Sequence, residues 1–166
     1  MKPRDTEIPL ALLHQHFIYV PTTGLLLCRG KAIGTPNGFG YLRASIIING
    51  CRRRVLIHRI CWALMTGTWP ERIDHRDGNR SNNKWSNLRE ATSAQNKQNK
   101  AKYRNNTSGF TGVSKNHNRW RAAIKANGQL YVLGYFATVA EAHQAYLRGK
   151  LALHPFQPVP RPEVEA

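Results

Sequence analysis

The stretch RIDHRDGNRSNNKWSNLREATSAQNKQN, Arg72 to Asn99, sets an Asp-His pair, Asp74 and His75, ahead of a run of asparagines: Asn82, Asn83, Asn87, Asn96 and Asn99. Adjacent residues on an extended strand point in opposite directions, so Asp74 and His75 can serve different partners. Asp77-Gly78-Asn79 behind them is a turn signal that folds the chain back. From about Thr92 the stretch reads as a helix, with Thr92 or Ser93 available as N-cap. Such a helix could deliver Asn96, while Asn87 in the intervening loop can bond its own backbone and pin the turn. A neutral histidine can take a proton from water near pH 7. A hard divalent cation takes oxygen ligands, and the Asp74 carboxylate and Asn96 amide are both of that kind. On spacing alone, the same pattern better suits a surface Asp-His pair followed by an asparagine-rich loop.

Upstream, HRICWALMTG, His58 to Gly67, reads as a helix stopped by Gly67, with Pro70 preventing its return. His58 reads there as a packing residue, and the remaining histidines show no partner pattern. GYLRASIIINGCRRRVLI, Gly40 to Ile57, predicts a hairpin about Asn49-Gly50, a dipeptide suited to a type I′ turn. Arg52, Arg53 and Arg54 follow that turn and are candidates for phosphate contact. EIPLALLHQHF, Glu7 to Phe17, predicts an amphipathic helix, and short strands should follow it.

Downstream, KQNKAKYRNNTSG has almost no apolar residues and reads as a basic linker, whose Lys97, Lys100, Lys102 and Arg104 could track a polyanion. RWRAAIKANGQLYVLGYF, Arg119 to Phe136, predicts a second hairpin about Asn127-Gly128. Trp120, Ala122 and Ile124 should face one way, and Arg119, Arg121 and Lys125 the other. Lys115 is a further candidate for that basic face. TVAEAHQAYLRGKLALH then predicts a helix with a Thr138/Glu141 capping box and a small-residue stripe of Ala142, Ala145, Tyr146, Gly149 and Leu153. The tail PFQPVPRPEVEA is proline-rich and expected to be disordered.

The balance of 25 Lys and Arg against 9 Asp and Glu gives a formal net charge of +16 over 166 residues. That sign and size favour a polyanionic partner, and nucleic acid fits better than a membrane surface. No signal peptide and no long apolar run is present, nor a basic helix with a greasy opposing face. The three cysteines are far apart without a CxxC pair, so no structural zinc is expected, and an odd count fits a reducing cytosol.

From Tyr19 to Asn99 the chain closely resembles phage-type HNH endonucleases, including the homing nickases of phage introns. The residues that carry the resemblance are H-R, an apolar helix, G-x-x-P, then D-H-x-x-G-x-x-x-x-N and N-L-R-x-x-T-x-x-x-N, as they stand from His58 to Asn96. VPTTGLLLCRG looks like the usual lead-in. Glu90 stands where relatives often carry an aromatic residue, and Ser81 where an acidic one is common. The resemblance implies a ββα-metal fold with His75 as general base, Asp74 and Asn96 as ligands of a divalent metal, and Asn87 holding the loop, in the H-N-N subset. The metal implied is magnesium, with manganese as the alternative, and the products are 5′-phosphate and 3′-hydroxyl ends.

From Gly109 to His154 the chain resembles the Apetala-two (ethylene-response-factor-like) DNA-binding domain, through GV, RWRAAI, LGYF, T-x-x-E-A and AY. This implies a three-stranded antiparallel sheet backed by one helix, with the sheet in the major groove. Leu130 and Val132 occupy positions where that family often has Arg and Trp, which leaves phosphate contact as the expected mode.

The reading is therefore α+β: a ββα-metal nuclease module over residues 1–99, a linker over 100–108, a small sheet-and-helix DNA-binding domain over 109–154 and a tail over 155–166. Its partner should be double-stranded DNA, bound by a monomer with no membrane and no small-molecule cofactor. The resemblance implies action in the cytoplasm of a phage-infected bacterium. The competing reading is a non-catalytic, sequence-selective DNA-binding or regulatory protein on a nuclease scaffold. A nucleoid-type protein would explain the charge but not Asp74, His75 and Asn96 together.

Overall fold

The computed structural model describes residues 8–99 and 105–157. It is α+β throughout, with small antiparallel sheets and short helices. The chain divides into two compact units, Met1–Ala91 and Thr92–Ala166.

The first unit opens with α1 (Leu10–His16), whose Leu13 is fully buried. β1 (Ile18–Val20), β2 (Leu25–Cys28) and β3 (Lys31–Ile33) form a meander. A second meander joins β4 (Thr35–Pro36), β5 (Leu42–Ile48) and β6 (Cys51–Leu56). Asn49 and Gly50 both take positive φ, 50° and 74°, between β5 and β6, as the expected type I′ turn requires. α2 (Ile57–Thr66) follows directly and ends at left-handed Gly67, whose N–H returns to Ala63 O. Its buried face, Ile57, Ile60, Cys61 and Ala63, packs with Leu13, Phe17, Leu26, Ala44, Ile46 and Val55 into one core. β7 (Ile73–His75) and β8 (Leu88–Glu90) make a two-stranded sheet that contributes Ile73 and Leu88 to that core.

The second unit begins with α3 (Ser93–Gln98). Thr92 caps it through a complete capping box with Gln95. β9 (Val113–Asn116), β10 (Arg119–Ala126) and β11 (Gln129–Phe136) form an antiparallel sheet in the order β11-β10-β9. It is covered by α4 (Val139–Leu153), which Thr138 and Glu141 cap reciprocally as expected. Ala142, Ala145 and Tyr146 meet Ala122, Ile124 and Val113 in its core. The register slips between Ala122, opposite Gly134, and Ala123, opposite Val132, so Leu133 is a bulge residue and turns inward. Gly149 makes room for it: a Cβ there would lie 2.6 Å from Leu133 Cδ1.

Three boundaries differ from the sequence reading. The break between units falls after Ala91, not after Asn99. The end of α3 is tied within the second unit, where Lys150 Nζ donates to Gln98 O at 2.8 Å and Phe156 N to Gln98 Oε1 at 3.2 Å. Residues 105–108, expected to be linker, are a bonded turn: Ser108 Oγ donates to Val113 O at 2.8 Å and Asn106 Nδ2 to Phe110 O at 2.9 Å. Residues 155–157, expected to begin a disordered tail, form a turn closed from Gln157 N to His154 O. The rest of the expected linker and tail lies outside the described residues. Among the described residues no helix is long and apolar enough to cross a membrane.

Gly112 tests the second core. Its φ is +74°, and a Cβ would sit 2.1 Å from the Tyr146 ring and 2.8 Å from Ala123 O. Left-handed strain and overpacking together predict that Gly112→Ala destabilises this unit by about 2–4 kcal/mol, read from urea denaturation. An unchanged midpoint would contradict this packing.

Candidate active site

β7 and β8 pair in a register that sets Asp74 opposite Arg89 and His75 opposite Leu88. Directly opposed residues share a face, so the two neighbours part as strand alternation requires. On one face, Arg89 Nε and Nη2 both donate to Asp74 Oδ2, at 2.9 and 2.8 Å. On the other, the His75 ring turns towards the core among aromatic neighbours. His58 stands edge-on to it with centroids 5.0 Å apart, and the Tyr41 centroid is 6.0 Å away. Asp74 and His75 are each only 4% exposed.

A buried imidazole loses hydration when it is charged, so burial holds the His75 pKa below 6.5. A hydrogen bond to Asn83 and the carboxylates of Asp77 and Asp74 oppose that shift, while Arg80 reinforces it. His58 is pushed further, to about 3, first by burial, then by His75 and Arg59. Both rings are therefore neutral near pH 7. His58 packs on α2 as expected from sequence, but its contact with His75 was not foreseen.

The loop between the strands is closed by side chains. Asn87, in a 3₁₀ turn at Trp85–Asn87, accepts from Asp77 N at 3.0 Å and donates to Asp77 Oδ1 at 2.9 Å and Asn82 O at 2.8 Å. Asp77 also accepts from Asn82 Nδ2 at 2.7 Å and Asn79 N at 2.8 Å. Asn87 thus spans the hairpin from its far side, and its own carbonyl accepts from Arg76 N. His75 Nε2 lies 3.1 Å from Asn83 Oδ1 in the same loop. Sequence reasoning gave no role to Arg89, Asn82 or Asn83, and gave Asp77 only a place in the turn. The N-L-R and asparagine-pair positions were the available signals.

Asn96 lies on α3 of the second unit, with Lys97 in the last turn of that helix. Lys100, Lys102 and Arg104 lie outside the described residues. Arg52, Arg53 and Arg54 do not form one patch. Arg53 is paired with buried Ile46 and shares its face, whereas Arg52 pairs with exposed Ile47 and Arg54 with exposed Ser45. Arg119, Arg121 and Lys125 share the sheet face away from α4, as expected, but Lys115 does not join them. It stands opposite Trp120, which packs with the core, so it belongs at the edge of the helix-covered face. A reading by composition overlooked this alternation.

Among the described residues no three of His, Cys, Asp and Glu are grouped to hold a metal ion. A carboxylate and an amide offer hard oxygen donors, which fit magnesium. That ion is commonly held by one or two protein oxygens and completed by water and phosphate.

Residues 55–98, from the end of β6 through α3, match the HNH endonuclease family. This segment is similar to HNH endonuclease domains. A solved structure described as "DNA binding and cleavage by the HNH homing endonuclease I-HmuI" is 30% identical, covering 51% of this chain and 51% of that one, with a TM-score of 0.42. The chain thus spans about half the length of that protein. No curated protein matches the chain.

The buried histidines of this segment make stability depend on pH. Folded His58 and His75 resist protonation, whereas the unfolded chain takes protons near pH 6.5. Stability is therefore complete above about pH 6.5 and falls as the pH drops towards the folded values, by up to about 1.4 kcal/mol per pH unit for each ring. Urea midpoints between pH 8 and 5 should show this fall, and His58→Leu should flatten it. A flat wild-type profile would contradict two neutral buried rings.

Proposed function

We propose that the protein is a metal-dependent DNA endonuclease of homing type, with the second unit serving as a separate DNA grip. The observation that carries this reading is the neutral, buried His75 beside Asp74 on β7, within the matched HNH segment. In this reading His75 takes a proton from water as its oxygen attacks the scissile phosphorus. The phosphorus–O3′ bond breaks, leaving 5′-phosphate, and the departing 3′ oxygen takes a proton from a solvent water to become the hydroxyl. Asp74 and Asn96 would hold the divalent ion, magnesium or manganese, which when bound offsets charge on the phosphate and leaving oxygen. Asn87 keeps the β7–β8 loop closed. Arg89 holds the Asp74 carboxylate in place.

What supports a DNA grip is the open face of the second sheet. By register, Leu130 lies opposite Lys125, Val132 opposite Ala123 and Tyr135 opposite Arg121. Leu130, Val132 and Tyr135 are 55%, 49% and 49% exposed. Cations beside exposed apolar side chains suit DNA, where phosphates take the charge and thymine methyls take apolar contact. The Apetala-two likeness adds a sheet-in-groove mode of docking. We place the protein in the cytoplasm of a phage-infected bacterium, acting as a monomer.

Incubated with magnesium, the protein should convert supercoiled plasmid or phage genomic DNA to nicked or linear forms, and chelator should stop it. His75→Ala should lower the rate by about 10²–10⁴-fold, the usual range for a lost general base. DNA that is retarded but uncut under all these conditions would favour the non-catalytic binding protein instead. For the second unit, Arg121→Ala with Lys125→Ala should reduce the slope of log K against log salt by about two, one per phosphate contact. An unchanged slope would move the grip off this face.

A further inference from the structure

The open face of the second sheet sets an apolar patch beside a row of cations. Leu130, Val132 and Tyr135 of β11 are about half exposed, whereas Tyr131, Leu133 and Phe136 of the same strand pack on the core beneath α4. The bulge at Leu133 produces this division. Past it, Tyr135 comes opposite Arg121 and Phe136 opposite Trp120, so Tyr135 stays on the open face. Apolar side chains grouped in water add nothing to the core, and such patches mark contact surfaces.

Charge and chemistry decide what this patch meets. Arg119, Arg121 and Lys125 share the face, with Ala123 between the last two and opposite Val132. No Asp or Glu occurs between Glu90 and Glu141, so none of the three strands carries a carboxylate. Such a face attracts a polyanion, and a second copy of a chain with net charge +16 is a poor partner for it. Base edges of a duplex offer hydrogen-bonding groups to polar side chains, and thymine alone adds a methyl in the major groove. Leu130 and Val132 have no hydrogen-bonding group, so the methyl is the base feature they fit. They stand two residues apart on one face, about 7 Å along the strand, and so fall within about two base pairs of each other.

We propose that Leu130 and Val132 are specificity-determining residues that read thymine methyl groups, while Arg119, Arg121 and Lys125 hold phosphates, so that the second unit selects thymine-containing sites. This rests on the reading of that unit as a DNA grip and names what the grip selects. The short side chain of Ala123 beside Val132 keeps the centre of the face low, which leaves base edges within reach. An Arg at position 130 or 132 would take guanine O6 and N7 instead, and two aliphatic side chains exclude that readout there. Covering one methyl is worth about fourfold in affinity, and covering two about 15-fold.

The test uses the full chain with chelator, so that DNA is bound without being cut. Duplexes retained from a randomised pool should be enriched in thymine. One selected duplex is then made with thymine and with uracil, which loses only the 5-methyl and keeps every charge and hydrogen-bonding group. The uracil duplex should bind about 4–15-fold more weakly. Leu130→Ala with Val132→Ala should bind both duplexes alike. Its urea midpoint should be little changed and its salt slope unchanged, because both side chains are exposed and no cation is lost. Equal affinity of the wild type for the two duplexes would overturn the proposal, as would a thymine preference that survives in the double variant. So would a dimer in sedimentation that the double variant dissociates, which would give the patch to a second copy of the chain. Failure of the grip reading looks different: the salt slope would then ignore Arg121→Ala with Lys125→Ala. A normal response there, with thymine and uracil bound alike, sinks the base readout and leaves the grip standing.

Discussion

Strands of three residues cannot hold a reactive pair in place on their own. β7 and β8 are that short, and a two-stranded hairpin is marginal in water. What closes it is the exchange between Asn87 and the Asp77 backbone and carboxylate, at 3.0 and 2.9 Å. Asn87 is buried, so losing its partners would leave an amide unpaired at about 1–3 kcal/mol, whereas exposed Asp77 gains little from its charge alone. The buried amide therefore makes the lock strong, and the carboxylate gives it direction. The strand register depends on this closure, and through it the placing of Asp74 opposite Arg89 and His75 opposite Leu88.

That register assigns the two neighbours to different environments. Asp74 keeps a guanidinium beside it, which compensates a carboxylate taken out of water. His75 lies among aromatic neighbours, and burial outweighs the hydrogen bond to Asn83 and the nearby carboxylates in keeping it neutral. The arrangement costs stability at acid pH, and His58 increases that cost because it is buried against the same ring. A core built for stability alone would not bring two imidazoles within 5.0 Å. The cost falls at the residues to which the proposed chemistry assigns work, and functional sites commonly break local rules in this way.

Features set by a few consecutive residues were legible in the sequence. The turns at Asn49-Gly50 and Asn127-Gly128, the stop at Gly67 and the caps at Thr92 and Thr138 each depend on local φ or on one side-chain bond. Facing was legible where alternation was applied, as for Trp120, Ala122 and Ile124. It was lost where a charge run was read as a patch, as for Arg53 and Lys115. Within the candidate site, Asp74 and His75 could be singled out by residue type. Their partners could not, because Arg89, Asn83 and His58 reach them across 15, 8 and 17 residues through tertiary contacts, which periodicity does not encode.

The position of α3 follows the same logic of long-range ties. A six-residue helix has little stability of its own, and its capping box settles only where it starts. Its end is held by Lys150, whose Nζ meets Gln98 O at 2.8 Å, where unpaired carbonyls and the helix dipole favour a cation. Lys150 is itself buried and lies 3.5 Å from His154 Nδ1, while His154 Nε2 meets Lys125 O at 3.0 Å. A bonded path therefore runs from α3 through α4 to the strand that presents Arg119, Arg121 and Lys125. Because the helix carrying Asn96 is built into the unit proposed to hold DNA, its placement depends on the packing of that unit. A basic linker alone would not provide that.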